Sequence, residues 1–136
     1  MRIALLSLLI AVCTFSIACG RVYGPVEQAT ALMEAKDEMV NKWGKIIDVD
    51  PKESGVAEAR KVFDSAKADL VAKRDAVVKA PQGINSDWST NFSRHDGRVK
   101  EAISAIQIKI GVGGDPVAKD KFTALQKEFE TAVSRY

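Results

Sequence analysis

From Val26 to Tyr136, apolar side chains return every three or four positions in four runs, with polar residues between them. The first run is Val26, Ala29, Met33, Val40, Trp43 and Ile47, and Leu32, Met39 and Ile46 widen its stripe. No alternation of period two competes with this spacing, so the pattern predicts an amphipathic helix. Gly44 interrupts it at a modest cost. The second run is Val56, Ala59, Phe63, Ala66, Leu70 and Val77, with Lys61, Asp64, Lys67, Asp69, Lys73 and Asp75 mainly on the solvent side. The third starts near Ser86 and carries Trp88, Phe92, His95, Val99, Ala102, Ile106 and Ile110. The fourth, Ala118, Phe122, Leu125, Phe129, Ala132 and Tyr136, steps by alternate fours and threes and is the most heptad-like.

The breaks between runs carry their own signals. Asp50 reads as a helix cap, Pro51 as a first helical position and Glu53 as the partner in a capping box. Pro81 and Gly83 end the second run. "GVGGDP", residues 111–116, separates the third from the fourth, and Asp115-Pro116 repeats the device of Asp50-Pro51. The four helices read as similar in length, with short connections that make sequential helices antiparallel neighbours. The expected fold is all-α, an up-down-up-down antiparallel four-helix bundle over residues 26–136. The competing architecture is an extended coiled-coil hairpin that dimerises, and Trp88, Phe92, Phe122 and Phe129 favour the thicker core of a bundle.

The N-terminal segment has a different pattern. Arg2 precedes "IALLSLLIAVCTF", an apolar run shorter than the ~20 residues that usually span a bilayer. It ends in small residues, Ser16-Ile17-Ala18, as a cleaved signal peptide does. The stretch Ser16-Ile17-Ala18-Cys19-Gly20 resembles the lipobox of bacterial lipoproteins; Ala18 and Cys19 match it, and Ser16 stands where leucine is usual. The resemblance covers residues 1–20 only. It implies a signal peptide over 1–18, cut before Cys19, a diacylglyceryl group on the Cys19 thiol, usually a third acyl chain on the new amine, and residues 19–25 as lipidated N-terminus and tether. Gly20 is not the aspartate that commonly retains such proteins at an inner membrane, so in a Gram-negative cell the resemblance implies the outer membrane. The alternatives are simple secretion and a retained, uncleaved anchor. Cys13 and Cys19 are the two cysteines, and Cys13 would leave with the signal peptide. An exported chain with one thiol and no disulfide partner fits a modified thiol, and two or more acyl chains anchor stably.

Charge narrows the partners. The whole chain carries a formal +2, which becomes +1 without Arg2, and this near-neutral mixture gives no case for nucleic acid. The 118 residues after the signal suffice for one core and one domain. The bundle would place the 81–85 loop and Tyr136 at the membrane end. The loops at 48–54 and 111–115 would lie at the far end.

Candidate chemistry is sparse. His95, the one histidine, falls on an apolar stripe, where it serves either as a boundary side chain held by one hydrogen bond or as a haem ligand with Met33 or Met39. Small periplasmic four-helix cytochromes of the b type use a His–Met pair, and the chain is superficially similar to them. Their histidine lies on the last helix, whereas His95 lies on the third. No C-x-x-C-H, H-E-x-x-H or E-x-x-H occurs. "GVGGDP" lacks the lysine of a phosphate loop and reads as a connection. "SRHDGRVK", residues 93–100, carries Arg94, Arg98 and Lys100 and reads as the solvated face of the third helix, with a small reader of anionic patches as the alternative, and Gly97 within it as a site of bending or close contact. Trp43 and Trp88 line either a ligand groove or the core. The expected function is therefore a non-enzymatic envelope lipoprotein with no cofactor, attached to lipid through Cys19 and acting as scaffold or adaptor on an envelope protein partner. The alternatives are a periplasmic bundle binding haem or another apolar ligand and an exported enzyme with an unfamiliar site.

Overall fold

Two pairs of helices, each joined by a tight turn at the same end, pack into a four-helix bundle. The computed structural model describes residues 25–79 and 86–135, and side chains from 26–79 and 90–135. Cys19 with its tether, the loop 81–85, the Trp88 side chain and Tyr136 lie outside the described residues. The helices are α1 (Pro25–Val49), α2 (Glu53–Val78), α3 (Ser86–Val112) and α4 (Pro116–Val133). The expected all-α bundle is thus the observed one.

Side-chain pairs fix how the helices run. Trp43 Nε1 donates to Ala59 O at 3.0 Å, and Gln107 Nε2 donates to Gln126 Oε1 at 2.5 Å, across the antiparallel pairs α1–α2 and α3–α4. Lys36 pairs with Asp96 and Asp48 with Lys109, so α1 and α3 rise together. Glu53 pairs with Lys121 and Arg60 with Glu128, so α2 and α4 descend together. Extensive contacts run α1–α2, α2–α4, α4–α3 and α3–α1. Direction alternates along the chain as expected. The neighbours differ from sequence order: α2 and α3 stand at opposite corners, and parallel pairs join the two hairpins.

The interior follows the stripes. Val56, Ala59, Phe63, Leu70 and Val77 of α2 are buried, as are Ala118, Phe122, Leu125, Phe129 and Ala132 of α4. Trp43 crosses the diagonal from α1 to α4. Its ring centroid lies 5.2 Å from Phe129, 5.6 Å from Phe122 and 6.2 Å from Phe63, at tilted or edge-on angles that suit aromatic quadrupoles. This distal core is one cluster; Ala29, Leu32, Val77 and Phe92 form a second, proximal one.

Several expectations need correction. Ala102 is exposed, and Ile103 takes its place in the core, because the four-three rhythm runs 99, 103, 106, 110. Val26 is largely exposed near the start of α1. Gly97 is exposed, and a Cβ added there would meet nothing within 4 Å, so it makes no close helix contact. The helices are not equal: α4 has 18 residues against 25, 26 and 27 for the others. At ~1.5 Å per residue, α4 is roughly 10 Å shorter. The third helix also continues through Gly111 and Val112, and Gly114 makes the turn with a left-handed φ of 72°.

At the distal end Asp115 does more than its sequence position shows. Its Oδ1 accepts from Val117 N and Ala118 N, capping α4 above Pro116. Its Oδ2 accepts from Glu53 N at 3.1 Å, so the same carboxylate caps α2. This is possible because parallel neighbours start side by side, and two positive helix ends favour one anion. Asp50 is not the cap that the sequence suggests. The helix starts at Glu53; Asp50 instead accepts from Lys52 N two residues on and from Ser54 Oγ, closing the turn.

The Asp115 carboxyl is held below the usual carboxylate range, chiefly by the Ala118 N–H, with further help from Glu53 N, Val117 N and nearby Lys52. A lowered folded pKa means that its stabilisation is complete above the ordinary carboxylate range and is lost as the pH falls through the lowered value. Asp115→Ala is expected to lower Tm by several degrees at neutral pH. The gap to the parent should shrink as the pH falls below the carboxylate range, which thermal unfolding at a series of pH values measures.

Candidate functional site

The gap between Met33 and Val40 in the first stripe is filled by Lys36, a side chain that the apolar pattern passes over. Lys36 is 5 % exposed and His95 is 3 % exposed, and together they form a polar layer between the distal and proximal clusters. Lys36 Nζ pairs with Asp96. Arg135, just past the end of α4, holds the other Asp96 oxygen at 3.3 Å, and its guanidinium lies 3.9 Å above the Phe92 ring. The layer thus joins α1 and α3 to the segment after α4. It caps the proximal apolar cluster where the short fourth helix no longer covers it.

Asp96→Ala is expected to be costly for this reason. It leaves the Lys36 ammonium buried without a countercharge and removes the Asp96 contact of Arg135. Removing one partner of a fully buried pair costs about 3–5 kcal/mol, and the partial exposure of Asp96 places this case near 2 kcal/mol. Lys36→Met on the same background should recover much of the loss. Urea unfolding of the three variants checks both statements.

His95 sits one position before Asp96, and its Nε2 lies 2.9 Å from Asp37 Oδ1 on α1. That is a close polar contact across the α1–α3 seam, and Nδ1 stands 3.9 Å from Asp96 Oδ1, although neither nitrogen makes a well-directed hydrogen bond. The Asp37 contact stands where the one hydrogen bond expected of a boundary histidine would be. Buried polar atoms without a well-directed hydrogen bond are uncommon and call for a reason.

His95 forms the floor of a groove of about 370 Å³ between the parallel helices α1 and α3. Met33, Glu34 and Asp37 line one wall, and Asn91, Arg94 and Arg98 line the other. Of the residues expected to hold a ligand, Met33 therefore joins His95 here. Met39 and Trp43 do not; both are packed in the distal core, and the Trp43 N–H is taken up by Ala59. The Trp88 side chain lies outside the described residues. Nε2 of His95 faces the Asp37 carboxylate, so a role as haem ligand would require that contact to open. A mostly apolar groove of about 620 Å³ lies between α1 and α2, lined by Val26, Ala31 and Ala76 among others.

Among the described residues, no three His, Cys, Asp or Glu side chains are grouped to hold a metal ion, and no helix is long and apolar enough to cross a membrane. The acid-lined and base-lined walls of the His95 groove were not legible as a pair, since they come from helices about 60 residues apart. The signal present in the sequence was Arg94 and Arg98 at a four-residue spacing, which puts both on one face. No protein-family model, curated protein sequence or solved structure matches this chain.

Proposed function

We propose that the chain is an envelope lipoprotein, anchored by acylated Cys19, whose bundle acts through protein contacts at its distal end. The observation that carries the contact role is the composition of that end. Val49 is 87 % exposed, Val112 84 %, Ile108 66 % and Val117 47 %. Single exposed apolar residues are ordinary, and we read these four gathered at one end as a contact surface. The end is also firmly built. Asp115 bridges the two turns, Lys109 pairs with Asp48 beside them, and Lys121 pairs with Glu53. A firm apolar surface loses little conformational entropy on binding.

The lipobox resemblance supplies the other half of the reading. A tether of about five residues reaches at most roughly 17 Å, and α1 then rises roughly 38 Å. The proximal end would face the lipid and the distal apolar tip would face outward. No reactive group is needed for such a role; the partner surface would carry a complementary apolar patch ringed by mixed charge.

A photoreactive residue at position 112 of the full chain, expressed in a bacterium with lipoprotein processing, tests the contact role. A discrete adduct that is lost on Val49→Asp, and absent when the probe sits at exposed Ala68 in mid-α2, is the expected result. Equal labelling from both positions, or no adduct from 112, would overturn it.

A further inference from the structure

The groove over His95 has two walls of opposite charge that do not close on each other. Because Lys36 pairs with Asp96 across parallel helices, residues about 60 apart stand at the same height. Glu34 is then level with Arg94, and Asp37 with the turn that holds Arg98. All four are exposed, and no ion pair forms among them. Elsewhere the described arginines are engaged: Arg60 with Glu128, Arg74 with Asp75 and Arg135 with Asp96. Arg94 and Arg98 alone among the described arginines hold no carboxylate, and both line this one groove. Below them lies buried His95, whose Nε2 is 2.9 Å from Asp37 Oδ1 and whose Nδ1 makes no hydrogen bond.

We infer that this groove binds a small zwitterion, with its anionic group between Arg94 and Arg98 and its ammonium against Glu34 and Asp37. Two guanidiniums one helical turn apart present forked donors to a carboxylate or phosphate. Two carboxylates three residues apart on the facing helix accept from an ammonium. A lone anion would be repelled by Glu34 and Asp37, and a lone cation by the two arginines. Only a ligand carrying both charges uses both walls. Met33, half-buried on the α1 side, offers apolar surface for a short carbon chain between or beside the charged groups. The chemistry is shared by free α-amino acids and by the phosphoethanolamine headgroup of a lipid. This role goes beyond the contact function proposed above and does not depend on it.

The test is a ligand titration of the full chain labelled with ¹⁵N, followed at the arginine Nε and His95 ring signals. The probes are leucine, phosphoethanolamine, ethanolamine alone and inorganic phosphate alone. A saturable shift with a Kd of roughly millimolar is expected for leucine or for phosphoethanolamine. Whichever binds more tightly identifies the free or the lipid source. Ethanolamine and phosphate should each bind at least about tenfold more weakly. Arg98→Gln and Glu34→Gln, both at exposed positions, should each abolish saturation while leaving the far-ultraviolet circular dichroism unchanged. No saturable shift from either zwitterion would overturn the inference. So would half-ligands that bind as well as the whole, or a shift that survives both substitutions.

Discussion

Trp43→Ala is expected to destabilise the bundle by about 4 kcal/mol, the largest effect of any single truncation among the described residues. The indole is fully buried and touches rings from two other helices: Phe63 on α2, and Phe122 and Phe129 on α4. It is the side chain that closes the α1–α4 diagonal, so its removal opens a cavity that no single neighbour can fill. Its N–H to Ala59 O is lost as well. Against a domain stability of about 5–15 kcal/mol, such a loss brings the fold close to its limit. Trp43→Phe keeps most of the ring volume and should cost less than half as much. Urea midpoints for the two variants, read with an unchanged slope, measure this order. A Trp43→Ala loss below about 1 kcal/mol would mean that the diagonal is not packed as described.

Gly55→Ala should be nearly as damaging, for a reason that helix propensity contradicts. Alanine is the better helix former by about 1 kcal/mol. A Cβ at residue 55, however, would lie 1.8 Å from the Asp50 carbonyl oxygen and 2.9 Å from its carbon. Those are backbone atoms of the turn between α1 and α2, so the turn itself must shift. The shift would break the Asp50 contacts to Lys52 N and Ser54 Oγ and pull Glu53 N away from Asp115. A net loss of about 3 kcal/mol is expected. Gly44→Ala is the matched control: nothing lies within 4 Å of its added Cβ, and it should stabilise by up to about 1 kcal/mol. Thermal unfolding that showed both alanines to be stabilising would contradict the close approach at Asp50.

The fold was largely legible because each helix buries one stripe, and periodicity reports which residues share it. It reports this well where apolar residues are large, as in α4. It slipped by one position in α3 because Ala102 and Ile103 both satisfy the local spacing, and only the four-three rhythm separates them. Lys36 was hidden by its residue type, although Leu32, Lys36, Met39 and Trp43 form one continuous heptad track. The placement of α2 and α3 at opposite corners could not be read at all. A stripe says that a helix has a buried side and not which neighbour covers it. The polar layer failed to show for the same reason. Asp96 meets Lys36 and Arg135 from two other elements, and no local spacing encodes either meeting. Asp115 was legible as the cap of α4, and its second role at α2 follows only once the two helix starts stand side by side.

The measurement that tests the lipid anchor most directly is the intact mass of the full-length product recovered from the membranes of a bacterium with lipoprotein processing. The expected mass is that of residues 19–136 plus a diacylglyceryl group and a third acyl chain, in the membrane fraction. Cys19→Ala should abolish both the added mass and the membrane association. An unmodified chain in the soluble fraction, or one that keeps residues 1–18, would contradict the anchor and with it the proposal that the distal end faces outward from a membrane.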